Sequence, residues 1–184
     1  MNGEDIWTDG TNIYCSHGSS HVLDKSTLTW SSKTWNIDNC HGQFIWYEGD
    51  NIYYSRYSDQ YIFNKSTSTW DEKVWNGLNE FNGDDIWTDG ENIYYNHYTG
   101  ESYVLNKETS TWSTKVWNNI GNFPGRSVWT DGTNIYCSSD AGQFKLSNNR
   151  NYWMPMYWDT SFNIYGSYIW SDGEDIYLTN GSTN

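Results

Sequence analysis

One short phrase recurs five times along the chain, and it limits the fold more than any other feature of the sequence. Its fullest form is Asp85-Ile86-Trp87-Thr88-Asp89-Gly90-Glu91-Asn92-Ile93-Tyr94-Tyr95, and the other copies run over Ile6–Cys15, Ile45–Tyr54, Val128–Cys137 and Ile169–Leu178. Asp-Gly follows the Trp by two residues in four copies, and Glu48-Gly49 fills the slot in the second. Asp-Gly between short apolar runs is a strong hairpin signal, because both central residues of a type I′ turn need positive φ. Each copy therefore predicts a tight hairpin with Asp89-Gly90 or its equivalent as a two-residue turn. That register pairs Ile86 with Ile93 on one face and Trp87 with Asn92, beside Tyr94, on the other. Both faces then carry large apolar groups, unlike a one-sided sheet, so the hairpin is expected to lie between two layers.

The hairpin Trp residues are Trp7, Trp46, Trp87, Trp129 and Trp170, a period close to 41 residues. Behind each of the first four lies a second block, seen best as Tyr103-Val104-Leu105-Asn106-Lys107-Glu108-Thr109-Ser110-Thr111-Trp112 followed by Lys115-Val116-Trp117-Asn118. Copies one and two repeat it with Trp30 and Trp35, then Trp70 and Trp75, and a degenerate copy four carries Trp153 and Trp158. All 13 Trp residues thus occupy one of three repeat positions, which assigns them to the core and to packing between repeats. The second block reads as strand, polar turn, strand, giving four short antiparallel strands per repeat. That is the size of a propeller blade. No segment has a capped 3.6-residue period, so no helix is expected.

These residues resemble the kelch motif. Ile93-Tyr94 stands at the second strand, and Tyr103-Val104-Leu105-Asn106 is followed by Thr109 and Trp112 at kelch-like spacing. The chain departs from kelch where a Gly-Gly pair usually follows the second strand, reading Cys15-Ser16, Tyr54-Ser55, Tyr95-Asn96 and Cys137-Ser138. The resemblance implies an all-β, kelch-like β-propeller of four-stranded antiparallel blades, with four complete repeats plus a fifth hairpin. The repeats fall at about 4–42, 43–83, 84–125 and 126–166, with a half-repeat at 167–180, in a single domain over 1–184. An aromatic β-hairpin solenoid is the alternative. Arrays this rich in aromatics and Asn also resemble those of bacteriophage-encoded tail or surface proteins.

With 10 basic against 23 acidic residues the formal charge is −13, which argues against nucleic acid and against anionic membrane surfaces. No apolar run is long enough for a membrane helix, and the first residues lack a signal-peptide pattern. Aromatic residues make up 19% of a chain with mean hydropathy −0.86, so the interior is expected to be aromatic. Cys15 and Cys137 fill a slot held elsewhere by Tyr54, Tyr95 and Leu178 and read as core residues without a disulfide; Cys40 has no equivalent.

Strand parity separates two sets of connections. The turns between strands one and two, and three and four, are nearly uniform between copies, which suggests turn chemistry. The loops between strands two and three differ, and loops on a rigid scaffold are where binding residues gather. The candidate binding residues there are His17, His21, Arg56, Tyr57, Asp59, His97, Tyr98, Glu101 and Asp140. The sequence has no metal-ligand spacing and no nucleophile motif, so neither catalysis nor a cofactor or metal is expected. The expected function is a structural or recognition module on a virion or cell exterior, binding glycan or protein through the variable loops. An intracellular kelch-type adaptor is the alternative. The fifth copy has only two strands, which fits a second copy or a partner chain covering it, a thin fifth blade, or a piece of a longer array.

Overall fold

The computed structural model describes residues 5–17, 19–38, 45–78, 80–81, 83–97, 99–118, 127–139, 142–157, 168–171 and 176–179. Strands β1 (Asp5–Thr8), β2 (Ile13–His17), β3 (Ser19–Asp24) and β4 (Thr29–Lys33) form blade 1. Blade 2 comprises β5 (Ile45–Glu48), β6 (Asn51–Arg56), β7 (Asp59–Asn64) and β8 (Thr69–Glu72). Blade 3 comprises β9 (Gly83–Thr88), β10 (Ile93–His97), β11 (Ser102–Asn106) and β12 (Thr111–Lys115). Blade 4 comprises β13 (Ser127–Thr130), β14 (Ile135–Ser139), β15 (Gly142–Leu146) and β16 (Trp153–Met156). The fifth copy pairs β17 (Tyr168–Ser171) with β18 (Ile176–Thr179). Every pairing is antiparallel and follows chain order within its sheet. The fold is an all-β β-propeller type with four-stranded antiparallel blades. A solenoid of two-stranded hairpins does not describe it, because each 41-residue unit closes into one four-stranded sheet. The chain divides into two compact units, Met1–Phe81 with blades 1 and 2, and Asn82–Asn184 with the rest.

The hairpin register differs from the expected one. Trp87 lies opposite Tyr94 and Ile86 opposite Tyr95, not Asn92 and Ile93. The same Trp–Tyr pairing joins Trp7 to Tyr14, Trp46 to Tyr53 and Trp129 to Tyr136. The turn is centred on Gly and the residue after it, so Asp lies outside the central pair. Gly10, Gly90 and Gly132 have φ of 93°, 89° and 86°, while Thr11, Glu91 and Thr133 stay at negative φ. Glycine alone at the first central position is the pattern of a type II′ hairpin, not I′. Asp is freed to act through its side chain: Asp89 Oδ1 accepts the Glu91 and Asn92 backbone N–H groups at 3.0 and 2.7 Å. Each partner moves by two residues, and a shift of two leaves every side chain on its face. The predicted faces therefore stand although the predicted partners do not.

Pairing Trp with Tyr places two large rings side by side across each hairpin. The ring centroids are 4.3 Å apart in Trp7–Tyr14 and Trp46–Tyr53, and 4.4 Å apart in Trp87–Tyr94 and Trp129–Tyr136. A third ring from the segment after the fourth strand joins the stack, as Trp35, Trp75 and Trp117. Its indole carries an ammonium from the Lys two residues earlier: Lys33, Lys73 and Lys115 lie 4.7, 4.5 and 4.7 Å from the ring centroids. In the first unit the trio of blade 1 packs on Tyr54, Phe63 and Trp70 of blade 2. In the second, the trio of blade 3 packs on Cys137, Leu146 and Trp153 of blade 4. The core is thus a set of aromatic layers between neighbouring sheets.

Trp7, Trp46, Trp70, Trp75, Trp87, Trp112, Trp117 and Trp153 are buried, and Trp30, Trp35 and Trp129 are half-buried. Trp158 lies outside the described residues, as does the side chain of Trp170. Cys15 and Cys137 are buried free thiols, and burial pushes the Cys137 thiol well above its ordinary pKa. Cys40 lies outside the described residues. Ile6 is exposed, on the face of blade 1 turned away from blade 2.

One position on the outer edge of β8 is bonded by a side chain. Asn36 Nδ2 donates to the Trp70 carbonyl and Asn36 Oδ1 accepts the Trp70 N–H, both at 2.8 Å. A primary amide has the donor and acceptor of a peptide group, so it stands in for one residue of a fifth strand. Pro155 lies in β16, the outer strand of its sheet, where a missing N–H breaks no ladder bond.

Candidate functional site

Two sets of loops lie at opposite ends of each sheet, and they are built differently. At the end predicted for binding, the β6–β7 connection is the two-residue turn Tyr57-Ser58 between the paired residues Arg56 and Asp59. Tyr57 adopts φ 51°, a region that costs a bulky L-residue roughly 1–2 kcal/mol. It is held there by Phe81: the Tyr57 N–H donates to the Phe81 carbonyl at 3.2 Å, and the Phe81 N–H donates back at 2.7 Å. The ring is 50% exposed, with the Arg56 guanidinium 5.6 Å from its centroid. Asp59 is exposed at the start of β7.

In blade 3 the corresponding loop gathers His97, Thr99, Glu101 and Tyr103. His97 Nδ1 lies 2.6 Å from Thr99 Oγ1, and Glu101 Oε2 accepts the Tyr103 hydroxyl at 3.1 Å. Backbone bonds from His97 N–H to the Glu101 carbonyl and from Gly100 N–H to the His97 carbonyl, both 2.8 Å, close the loop. His17 ends β2, and His21 sits half-buried in β3 opposite Cys15. Tyr98 and Asp140 lie outside the described residues. The structure thus joins His97 to Glu101 and places Tyr57 between Arg56 and Asp59. No group of three His, Cys, Asp or Glu suited to a metal occurs among the described residues.

At the other end the uniform turns are Asp–Tyr clasps. Asp9, Asp89 and Asp131 each accept two backbone N–H groups on Oδ1, and the Tyr14, Tyr94 and Tyr136 hydroxyls donate to Oδ2 at 2.8, 3.0 and 2.9 Å. The second turn repeats the device, with Asp24, Asn64 and Asn106 accepting backbone N–H groups from the second and third residues on. Burial alone raises a carboxyl pKa, but these hydrogen bonds outweigh it and hold Asp9, Asp89 and Asp131 below the ordinary 3.8. Burial and the neighbouring Asp9 carboxylate push Tyr14 up to about 12 from 10.0. The Asp contribution to stability is therefore present above pH 3.8 and lost as pH falls through the lower folded values. The Tyr14 contribution is present below pH 10.0 and lost as pH rises through about 12. A urea midpoint measured against pH is expected to be flat from about pH 5 to 9 and to fall on both sides. A midpoint that declines within that interval would refute the clasps as the source.

The turn of blade 4 differs in reach. Between β15 and β16, Arg150 takes φ 56° and its guanidinium crosses to the blade 3 turn, 3.0 Å from Glu91 Oε2 and 3.5 Å from Asp89 Oδ2. Beside it lies a cleft of about 550 Å³, lined by the β9–β10, β13–β14 and β15–β16 turns. The sequence signal was present in Ser147-Asn148-Asn149-Arg150, which replaces the Asx-Lys pattern of the other copies and reads simply as degeneracy until Arg150 is placed.

No protein family profile and no curated protein sequence matches the chain. Solved structures do. One is PorZ, a bacterial surface component of the type-IX secretion system of Porphyromonas gingivalis, at TM-score 0.56 and 10% identity, covering 83% of this chain and 22% of PorZ. Another is the extracellular domain of a hybrid two-component system protein, BT3049 of B. thetaiotaomicron, at TM-score 0.54 and 13% identity, covering 81% of this chain and 22% of that one. The chain thus spans about a fifth of either structure, and the likeness is one of fold.

Proposed function

We propose that the chain is a non-catalytic recognition module of a virion or cell exterior, a divergent kelch-like propeller that engages glycan through the loops between second and third strands. Tyr57 carries this reading. A half-exposed aromatic held in the left-handed region by a two-way backbone bridge is strain that a Gly would relieve, and strain kept at a surface points to use. A fixed aromatic face loses little entropy on stacking against a sugar ring. The acidic surface agrees with a partner that is neither nucleic acid nor anionic membrane. The exterior setting is supported by the two proteins of like fold, described respectively as a surface component and an extracellular domain.

A glycan array tests it with the wild type, Tyr57→Ala and Tyr57→Gly. Binding is expected to weaken by about tenfold or more in both variants, a loss of roughly 1.4 kcal/mol. Folding stability is expected to rise in Tyr57→Gly as the strain goes. An array left blank by the wild type, alongside a specific protein pull-down, would favour the adaptor reading instead.

A further inference from the structure

The cleft between blades 3 and 4 lies at the ends of the sheets remote from the β10–β11 loop, and its chemistry is unlike that of the variable loops. Its floor is fixed. Asp89, with no exposed side-chain surface, is saturated by two backbone N–H groups, the Tyr94 hydroxyl and the Arg150 guanidinium. Buried Ser147 Oγ donates to Asn149 Oδ1 and accepts the Tyr152 N–H. Above this floor the lining groups are unused: among the described residues no protein hydrogen bond takes up the Thr133 hydroxyl, Asn134 Oδ1 or the Asn148 side-chain amide. Among the described residues only Nη1 of the Arg150 guanidinium is engaged, which leaves the other N–H groups of this cleft-lining residue as donors. Half-buried Ile135 adds an apolar patch, with buried Leu146 behind it.

The charges decide among ligand classes. One guanidinium faces two carboxylates, Asp89 and Glu91, so an anion would enter against a net negative charge. A cation would compete with Arg150 for carboxylates that already have their partners. What remains is a neutral ligand with several hydroxyls, able to accept from Arg150 and Asn148 and to donate to Asn134 Oδ1 and Thr133, with its C–H face against Ile135. We infer that this cleft is a second binding site, one for a neutral saccharide unit, separate from the loops that carry Tyr57. The volume is within the range of small-molecule sites.

The test is a titration of the ¹⁵N-labelled full chain with glucose, galactose, mannose and N-acetylglucosamine, and separately with inorganic phosphate and spermidine. At least one neutral sugar is expected to shift the Thr133 and Asn148 backbone amide signals saturably. Thr133→Trp, which fills the cleft from a turn position, is expected to weaken that response by about tenfold or more, and Asn148→Ala to weaken it less. Tyr57→Ala is expected to leave it unchanged, which keeps this site's failure distinct from that of the loop site. Saturable shifts from phosphate or spermidine alone, no shift from any sugar, or a sugar response that survives both cleft variants would overturn the assignment.

Discussion

Trp70→Ala is expected to destabilise the first unit by about 3–5 kcal/mol, the usual cost of deleting a fully buried indole from a core that collapses only in part. Trp70 is 2% exposed and touches four rings at once: Phe63 at 5.0 Å, Trp7 at 5.4 Å, Tyr54 at 5.9 Å and Trp35 at 6.0 Å between centroids. Two of those rings belong to blade 1 or to the segment that follows it, so the cavity would open between sheets as well as within one. Trp30 supplies the control. It occupies the same place in blade 1, opposite Leu23 as Trp70 is opposite Phe63, yet it is only half-buried. Its replacement by Ala is expected to cost less than half as much. Urea unfolding followed by fluorescence measures both; equal losses would show that the layer between sheets contributes nothing special.

Asp89→Ala is expected to lower stability by about 2–4 kcal/mol, against roughly 1 kcal/mol for Asp131→Ala. The two carboxylates make the same turn, and each accepts two backbone N–H groups and a Tyr hydroxyl. They differ in setting. Asp89 is buried with Arg150 against it, whereas Asp131 is exposed. Removing Asp89 leaves the phenol of Tyr94 and two turn N–H groups without their acceptor in a place water reaches poorly. Asp89→Asn keeps an oxygen for the backbone but loses attraction to Arg150, so it should fall between. Thermal or urea unfolding of the three variants gives the ranking, and an Asp131→Ala loss equal to that of Asp89→Ala would show that burial is not what sets the cost.

The repeat, the strand count and the face assignments were legible because they rest on period alone. Trp87 and Tyr94 share a face under either register, so alternation could place both without knowing their pairing. The register itself was not legible. Asp-Gly fits a two-residue turn by backbone preference, and only the side-chain bonds of Asp89 and the hydroxyl of Tyr94, five residues on, show why the turn is centred one residue later. The same holds for function. Variability directed attention to Tyr57 and His97 at one end of the sheets. The cleft arises at the uniform end, where one copy departs from the pattern and Arg150 crosses to a neighbour 59 residues back. Sequence distance of that order hides a contact that geometry makes plain.

The Asn36 amide has a consequence for how blade 2 is protected. It is carried behind blade 1, yet it bonds the outer edge of blade 2 at Trp70. An edge amide brought by one blade for the next occupies a peptide position that a stray strand would otherwise pair with, so the protection of blade 2 depends on blade 1 being folded beside it.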